Sequence, residues 1–176
     1  MSAKTLLILG ASSALLSLVF LHRKALARPF CLRPAKITPS TKVLRWKDLA
    51  VKYGRRYNID PALILAIIHT ESNGNPKAYR YERHIEDASR GLMQILYRTA
   101  REMGYYGKPQ GLYDPETNIN YGTKYLANRI RKYGFYKGIA AYNAGSPRYT
   151  KEGCFINQPY VNKVIGAYYV YKRVAF

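Results

Sequence analysis

The feature that most constrains this chain is a run of seven apolar residues near its middle, residues 62–68, with the sequence ALILAII. Asp60 and Pro61 stand directly before the run. They supply a helix N-cap followed by proline, which is favoured at the first helical position. A helix that is apolar on every face has no side to turn toward water. The run therefore predicts a helix in the middle of a folded domain.

The rest of the chain is also predicted to be helical. Trp46, Leu49, Ala50 and Tyr53 follow the i, i+3, i+4, i+7 spacing of one apolar helix face. Further helices are predicted over residues 93–103, from Asp114-Pro115 to a stop at Gly134, over residues 138–142, and from Pro159 onward. No strand-like alternation exceeds a few residues and no internal repeat is present. The predicted fold class is all-α.

The charge of the chain is strongly positive, with 29 Lys and Arg against 10 Asp and Glu and a net charge of +19. Such an excess favours a polyanionic environment such as nucleic acid, anionic lipid or an acidic wall polymer, and it is also compatible with a purely solubilising role. The 18 tyrosines suit stacking on sugar rings or bases. The basic residues are spread along the chain instead of forming one helix stripe, so no specific nucleic-acid partner is predicted.

The N-terminus divides into two segments before the predicted domain of residues 43–176. Residues 5–21 carry no charge and predict that residues 1–27 form a membrane anchor or a signal segment, with an uncleaved anchor preferred. Residues 28–42 hold Pro29, Pro34 and Pro39 among basic residues, which predicts an extended linker.

Among the ten acidic residues, Glu71 stands apart. Asp60 and Asp114 are explained as helix caps, and the others fall on polar helix faces or in predicted loops, where Glu82 is placed. Glu71 lies at the end of the apolar helix, one turn after Ile67 and Ile68. Burial and the negative helix end would both disfavour its charged form and make it a candidate general acid. The local sequence is equally compatible with a solvent-facing glutamate.

Motifs for other chemistry are missing from the sequence. His69-Thr70-Glu71 lacks the HExxH spacing, and neither a GxSxG elbow nor a phosphate loop is present. Cys31 and Cys154 lack the spacing of a zinc site, and the sequence leaves open whether they form a disulfide or stay free thiols. No metal and no cofactor is predicted.

Four short motifs occur in an order that resembles a known family. They are Glu71-Ser72 at a helix end, Gly91-Leu92-Met93-Gln94, Asn118-Ile119 with Gly122 and Tyr125-Leu126, and Ala141-Tyr142-Asn143-Ala144-Gly145. With them the chain resembles the soluble lytic transglycosylase (SLT) domain family over roughly residues 44–173. The resemblance implies a helical fold similar to goose-type lysozyme, here preceded by the hydrophobic N-terminal helix.

The resemblance also implies a reaction. In that family the glutamate that matches Glu71 protonates the β-1,4 glycosidic oxygen between N-acetylmuramic acid and N-acetylglucosamine in peptidoglycan. It then takes the proton of the muramoyl 6-hydroxyl, which closes a 1,6-anhydro ring, so a second carboxyl of the kind most glycosidases use is not needed. The substrate-binding residues implied by the family are Ser72, Met93, Gln94, Tyr142, Asn143 and Tyr160.

The implied setting is the cell envelope, with peptidoglycan strands as the substrate and the membrane as a partner through the N-terminal helix. Only Lys4 precedes the apolar segment and several basic residues follow it, which by the positive-inside rule would keep the domain in the cytoplasm. A cleaved signal or a virion location would resolve this conflict. We therefore expect local wall opening by a phage particle or an envelope-spanning machine, with virion or secretion-machine proteins as partners. The alternatives are a hydrolytic goose-type muramidase and a non-catalytic wall-binding or structural component.

Overall fold

The computed structural model describes residues 31–176, so the predicted anchor or signal segment of residues 1–27 lies outside the described residues. Within them the chain is mainly helical, with a small sheet. The helices are α1 Thr41–Leu44, α2 Lys47–Tyr57, α3 Pro61–Ser72, α4 Tyr97–Glu102, α5 Pro115–Tyr133, α6 Phe135–Ala144 and α7 Gln158–Val174. The strands are β1 Tyr79–Glu82, β2 Asp87–Arg90 and β3 Ile95–Leu96, and short 3-10 turns cover Arg83–Ile85 and Pro109–Tyr113.

Helix α3 is the centre of the domain, as its apolar run predicts. Each residue from 62 to 68 is at most 1% exposed, and the helix packs against α7, α2 and α1. The Asp60 side chain caps α3 by accepting a hydrogen bond from the Ala62 amide at 3.0 Å. Tyr168 and Lys172 of α7 donate to the other Asp60 oxygen, each at 2.8 Å. One cap residue thus also joins the two central helices.

Helices α5 and α6 form a closely packed pair beside this centre. The Asp114 side chain caps α5 by accepting from the Thr117 amide at 2.8 Å. Gly134 ends α5 with a φ of 82°, a value that glycine adopts without strain. A Cβ atom at Gly138 would lie 2.6 Å from the Ile130 Cα, so only glycine permits the two helices to approach this closely.

The three strands correct the prediction of an all-α domain. They form an antiparallel sheet in the order β1-β2-β3, with Tyr79 opposite Arg90 and Ser89 opposite Leu96. The predicted helix over residues 93–103 is wrong in its first part, because residues 91–94 form turns, β3 follows and α4 begins only at Tyr97. The left-handed backbone of Gln94, with a φ of 47°, breaks any helix at that point.

Residues 31–40 lack helix and strand and lie against α7. The Ala35 amide donates to the Asn162 carbonyl at 2.9 Å, and the Ser40 amide donates to the Tyr171 hydroxyl at 3.1 Å. Cys31 and Cys154 form a disulfide with their Cα atoms 5.6 Å apart, which answers the question that the sequence left open. Within residues 31–176, no helix is both long and apolar enough to cross a bilayer.

Candidate active site

A groove of about 440 Å³ runs between the β-hairpin and the end of α6. The C-terminal end of α3 reaches it from the core side, and β3, α4 and α5 contribute the remaining wall. Its lining includes the carboxyls of Glu71 and Glu82, the basic side chains of Arg80, His84, Arg98 and Arg148, the rings of Tyr125 and Tyr142, and the amides of Gln94 and Asn143.

Glu71 occupies the last turn of α3 and is partly buried. Its Oε1 accepts a hydrogen bond from the Tyr160 hydroxyl at 2.7 Å. Burial is the strongest influence on this carboxyl and raises its pKa from 4.5 to about 7. The Tyr160 hydrogen bond and the charges of Arg80 and Lys163 oppose that rise, whereas the charge of Glu82 adds to it. A carboxyl with such a pKa exchanges a proton near neutral pH.

Three tyrosines, Tyr125, Tyr142 and Tyr160, lie around the Glu71 carboxyl. The Tyr142 hydroxyl donates to the Met93 carbonyl at 2.8 Å, and its ring lies 5.3 Å from the Tyr125 ring, centroid to centroid. Burial raises the pKa of Tyr142 and of Tyr160 well above 10, so both hydroxyls stay protonated as donors. The Arg129 guanidinium lies 4.8 Å from the Tyr125 ring centroid and fixes that face of the groove.

The turn that carries Gln94 is held by the buried side chain of Asn118. The Asn118 amide donates to the carbonyls of Arg90 at 2.8 Å and Leu112 at 2.7 Å, and its oxygen accepts from the Met93 amide at 2.8 Å. Gly91 has a φ of 74°, and a Cβ there would meet the Asn118 amide at 2.3 Å. This motif therefore requires glycine for both its conformation and its packing.

The structure brings most of the predicted residues together, but not all at the groove. Glu71, Gln94, Tyr142 and Asn143 line it, and Tyr160 contacts Glu71 directly.

Two of the predicted residues lie beneath the groove. Ser72 donates to the Leu92 carbonyl at 2.8 Å, and the fully buried Met93 packs against Gly122 and Thr123. The structure thus does not place the Met93 side chain at the groove surface, because it fills the gap between the turn and α5.

Arg80 and Glu82 are groove residues that the sequence interpretation missed. The prediction that Glu82 lies in a loop is wrong, since it ends strand β1. Alternate residues of a strand point to the same side, so Arg80 and Glu82 share the groove face, and Tyr79 and Tyr81 lie on the opposite face of the strand. The alternation of aromatic and charged residues in Tyr79-Arg80-Tyr81-Glu82 is a weak signal, because four residues are too few to identify a strand. Within residues 31–176, no group of three His, Cys, Asp or Glu side chains is arranged to hold a metal ion.

Comparisons with known proteins identify the family of the chain. The family model "Transglycosylase SLT domain" matches residues 48–154. The endo-type membrane-bound lytic murein transglycosylase A of Cronobacter sakazakii is 37% identical over 110 residues, covering 58% of this chain and 51% of that protein. The membrane-bound lytic murein transglycosylase E of Buchnera aphidicola is 35% identical over 122 residues, covering 65% and 52%. The chain thus spans about half the length of these curated relatives.

A solved structure agrees as well. The 70 kDa soluble lytic transglycosylase of Escherichia coli aligns with a TM-score of 0.59 and 27% identity, over 73% of this chain and 24% of that one. The family model covers more than half of the sequence and includes Glu71, the Gly91–Gln94 turn and the residues at the end of α6. The chain therefore belongs to the transglycosylase SLT domain family, and its mainly helical domain has the lysozyme-like fold of that family.

Proposed function

We propose that this protein is a peptidoglycan lytic transglycosylase and that Glu71 is its acid and base. The observation that carries the proposal is the Glu71 carboxyl itself, which burial brings to a pKa of about 7 at the side of a groove of about 440 Å³. The names of the two relatives, both lytic murein transglycosylases, support the same reaction and the same polymer.

The proposed reaction uses both protonation states of Glu71. The protonated carboxyl donates to the glycosidic oxygen between the muramoyl and glucosaminyl residues while the bond to the anomeric carbon breaks. The resulting carboxylate accepts the proton of the muramoyl 6-hydroxyl as that oxygen closes the 1,6-anhydro ring. Because the Tyr160 hydroxyl donates to Oε1, the transferred proton resides on Oε2. Tyr160 thereby orients the carboxyl and stabilises its charged form between the two steps.

The other groove residues have binding or supporting roles in this proposal. Gln94, Tyr142 and Asn143 face the groove and supply amide and aromatic contacts to the sugars. Ser72 and Met93 lie beneath the groove, where they support the turn that presents Gln94. The Gln94 amide donates to the carbonyls of Ala78 and Gly91, so its position is fixed before substrate arrives.

Digestion of purified sacculi by the full chain tests the proposal, with mass spectrometry of the released sugars. We expect muropeptides that end in 1,6-anhydromuramic acid, and we expect Glu71→Gln to release at least about 100-fold less. Glu152→Gln is the matched control, since Glu152 is exposed in a loop away from the groove. Cleavage by Glu71→Gln at the wild-type rate would end the proposal. Exclusively hydrated muramoyl ends would identify a muramidase, and binding without cleavage a structural protein.

We also propose that the enzyme is held at the membrane by residues 5–21 and acts in the cell envelope. Both relatives are named membrane-bound, and the segment is uncharged. A virion or an envelope-spanning machine that opens the wall locally is the setting we favour, because it accommodates the basic residues after the segment. The intact mass of the protein purified from its source checks the anchor, since loss of about 27 residues would indicate a cleaved signal instead.

A further inference from the structure

A second carboxylate shares the groove with Glu71 and has no part in the proposed ring closure. Glu82 is only 19% exposed in its side chain, and it lies close enough to Glu71 for its charge to raise the pKa of that carboxyl. The Arg80 Nε donates to Glu82 Oε1 at 2.6 Å, and the Ser89 hydroxyl donates to the same oxygen at 3.3 Å. These two donors hold the side chain of Glu82 in place.

The two carboxyls therefore occupy environments of opposite kind. Glu71 lies at the end of an apolar helix, where burial favours the protonated acid, whereas Glu82 lies in a polar part of the groove and is paired with the Arg80 guanidinium and the Ser89 hydroxyl. A pair of carboxyls separated in this way is the usual arrangement of an acid and a base in glycoside hydrolysis. Since both donors reach Oε1, Oε2 of Glu82 is the oxygen that can accept a hydrogen bond from water in the groove.

We propose that Glu82 activates water in this groove, so that the enzyme hydrolyses a share of the glycosidic bonds in addition to closing anhydro rings. The inference rests on the proposed glycan cleavage by Glu71 and adds a second outcome to it. It applies to the intermediate that both routes share, because after the bond breaks either the muramoyl 6-hydroxyl or a water molecule can attack the anomeric carbon.

The hydrolytic route requires only water and the side chains of Glu71 and Glu82. Glu71 gives its proton to the departing 4-oxygen of the glucosaminyl residue as the bond from the anomeric carbon to that oxygen breaks. A water oxygen forms the new bond to the anomeric carbon, and Glu82 takes one proton from that water. Glu82 then releases this proton to solvent, and Glu71 takes one up. The products are a free 4-hydroxyl and a hydrated muramoyl end that carries the oxygen of water.

Digestion of sacculi in water enriched in oxygen-18 tests the inference with the full chain. We expect the wild type to release both anhydro and hydrated muramoyl ends, with the label at the hydrated ends. We expect Glu82→Gln to lower the ratio of hydrated to anhydro ends by about 100-fold, because general-base assistance is typically of that size. Glu86→Gln is the control, since Glu86 lies in the same hairpin but is exposed and outside the groove.

Two results would overturn the inference: a wild-type digest with anhydro ends only, or a ratio of hydrated to anhydro ends that Glu82→Gln leaves unchanged. An unchanged ratio with an equal loss of both products would mean that Glu82 acts only through the pKa of Glu71. Failure of the proposed function has a different signature, because Glu71→Gln would then cleave like the wild type. If wild type releases only hydrated ends and Glu82→Gln loses them, ring closure is wrong and water activation by Glu82 stands.

Discussion

Replacing Glu71 with glutamine should stabilise the folded domain, with a gain that grows as pH rises above 4.5 and nears its full size above pH 7. Burial at the end of α3 raises the pKa of Glu71 from 4.5 to about 7, so the folded protein resists the ionisation that the unfolded chain undergoes freely. Glutamine has nearly the same shape and carries no charge. Its side-chain oxygen can still accept the hydrogen bond that the Tyr160 hydroxyl donates to Glu71.

The size and sign of this effect follow from proton linkage. Between pH 4.5 and about 7 the folded state holds a proton on Glu71 that the unfolded state has lost, so the free energy of unfolding falls as pH rises through that window. The full pKa difference corresponds to about 3 kcal/mol above pH 7. Glu71→Gln removes this penalty. We therefore expect a gain of up to about 3 kcal/mol at pH 8 and almost none at pH 4.

Urea unfolding of both proteins from pH 4 to pH 8 measures this difference. Glu116→Gln is a control of opposite sign, because the hydrogen bond from Lys52 lowers the pKa of Glu116 and its loss should destabilise the domain at neutral pH. If the gain in the free energy of unfolding from Glu71→Gln did not change with pH, proton linkage to Glu71 would be refuted. A loss of stability at pH 8 would show that the ionised carboxylate is well accommodated, and the proposed acid would then lack its physical basis.

Three further substitutions have expected outcomes. Tyr160→Phe removes the hydrogen bond that favours the Glu71 carboxylate, so the alkaline limb of the pH–rate profile should move up by about one to two units, and an unmoved limb would contradict the assigned contact. Asn118→Ala leaves three buried backbone groups without their partner and should lower the free energy of unfolding by about 3 kcal/mol or more, measured in urea. Replacing Cys31 and Cys154 by serine should cost about 2–4 kcal/mol, and reduction of the wild type should cost the same.

The sequence was sufficient for the helical part of the fold because helix signals are local. Asp60 and Asp114 each precede a proline, and both side chains cap the helices predicted after them. The apolar run of residues 62–68 has no polar face, so it is expected to be buried, and it is buried in the structure. Gly134 ends α5 as expected from its position after the last apolar residue. In each case neighbouring residues decide the structure, so no knowledge of the tertiary fold is needed.

The sheet and the disulfide depend on contacts that the sequence does not display. Strand β1 has three exposed positions, so it lacks the buried alternation that identifies a strand, and its pairing with β2 supplies the stability instead. Cys31 and Cys154 are 123 residues apart, and only the path of residues 31–40 along α7 brings them together. Motif order alone could not decide between a free thiol and a bridge.

Only part of the site could be predicted from the sequence, because contacts between distant segments place some of its residues. Glu71 is identified by the apolar residues one turn before it, which are local. Met93 is adjacent to Gln94 in the same motif, yet its side chain fills the space beside Gly122 of α5, a contact between distant segments. Glu82 lines the groove because the hairpin of β1 and β2 lies beside the C-terminal end of α3. Family motifs identify a segment, whereas packing decides which of its side chains face the groove.

Titration of the Glu71 carboxyl by carbon-13 NMR tests the central claim most directly. Glutamate labelled at the carboxyl carbon, with Glu71→Gln to assign its resonance, reports the pKa of this group in the folded protein. We expect a midpoint near 7. A midpoint near 4.5 would mean that position 71 is ionised at neutral pH, and the proton donor on which the proposed reaction depends would be missing.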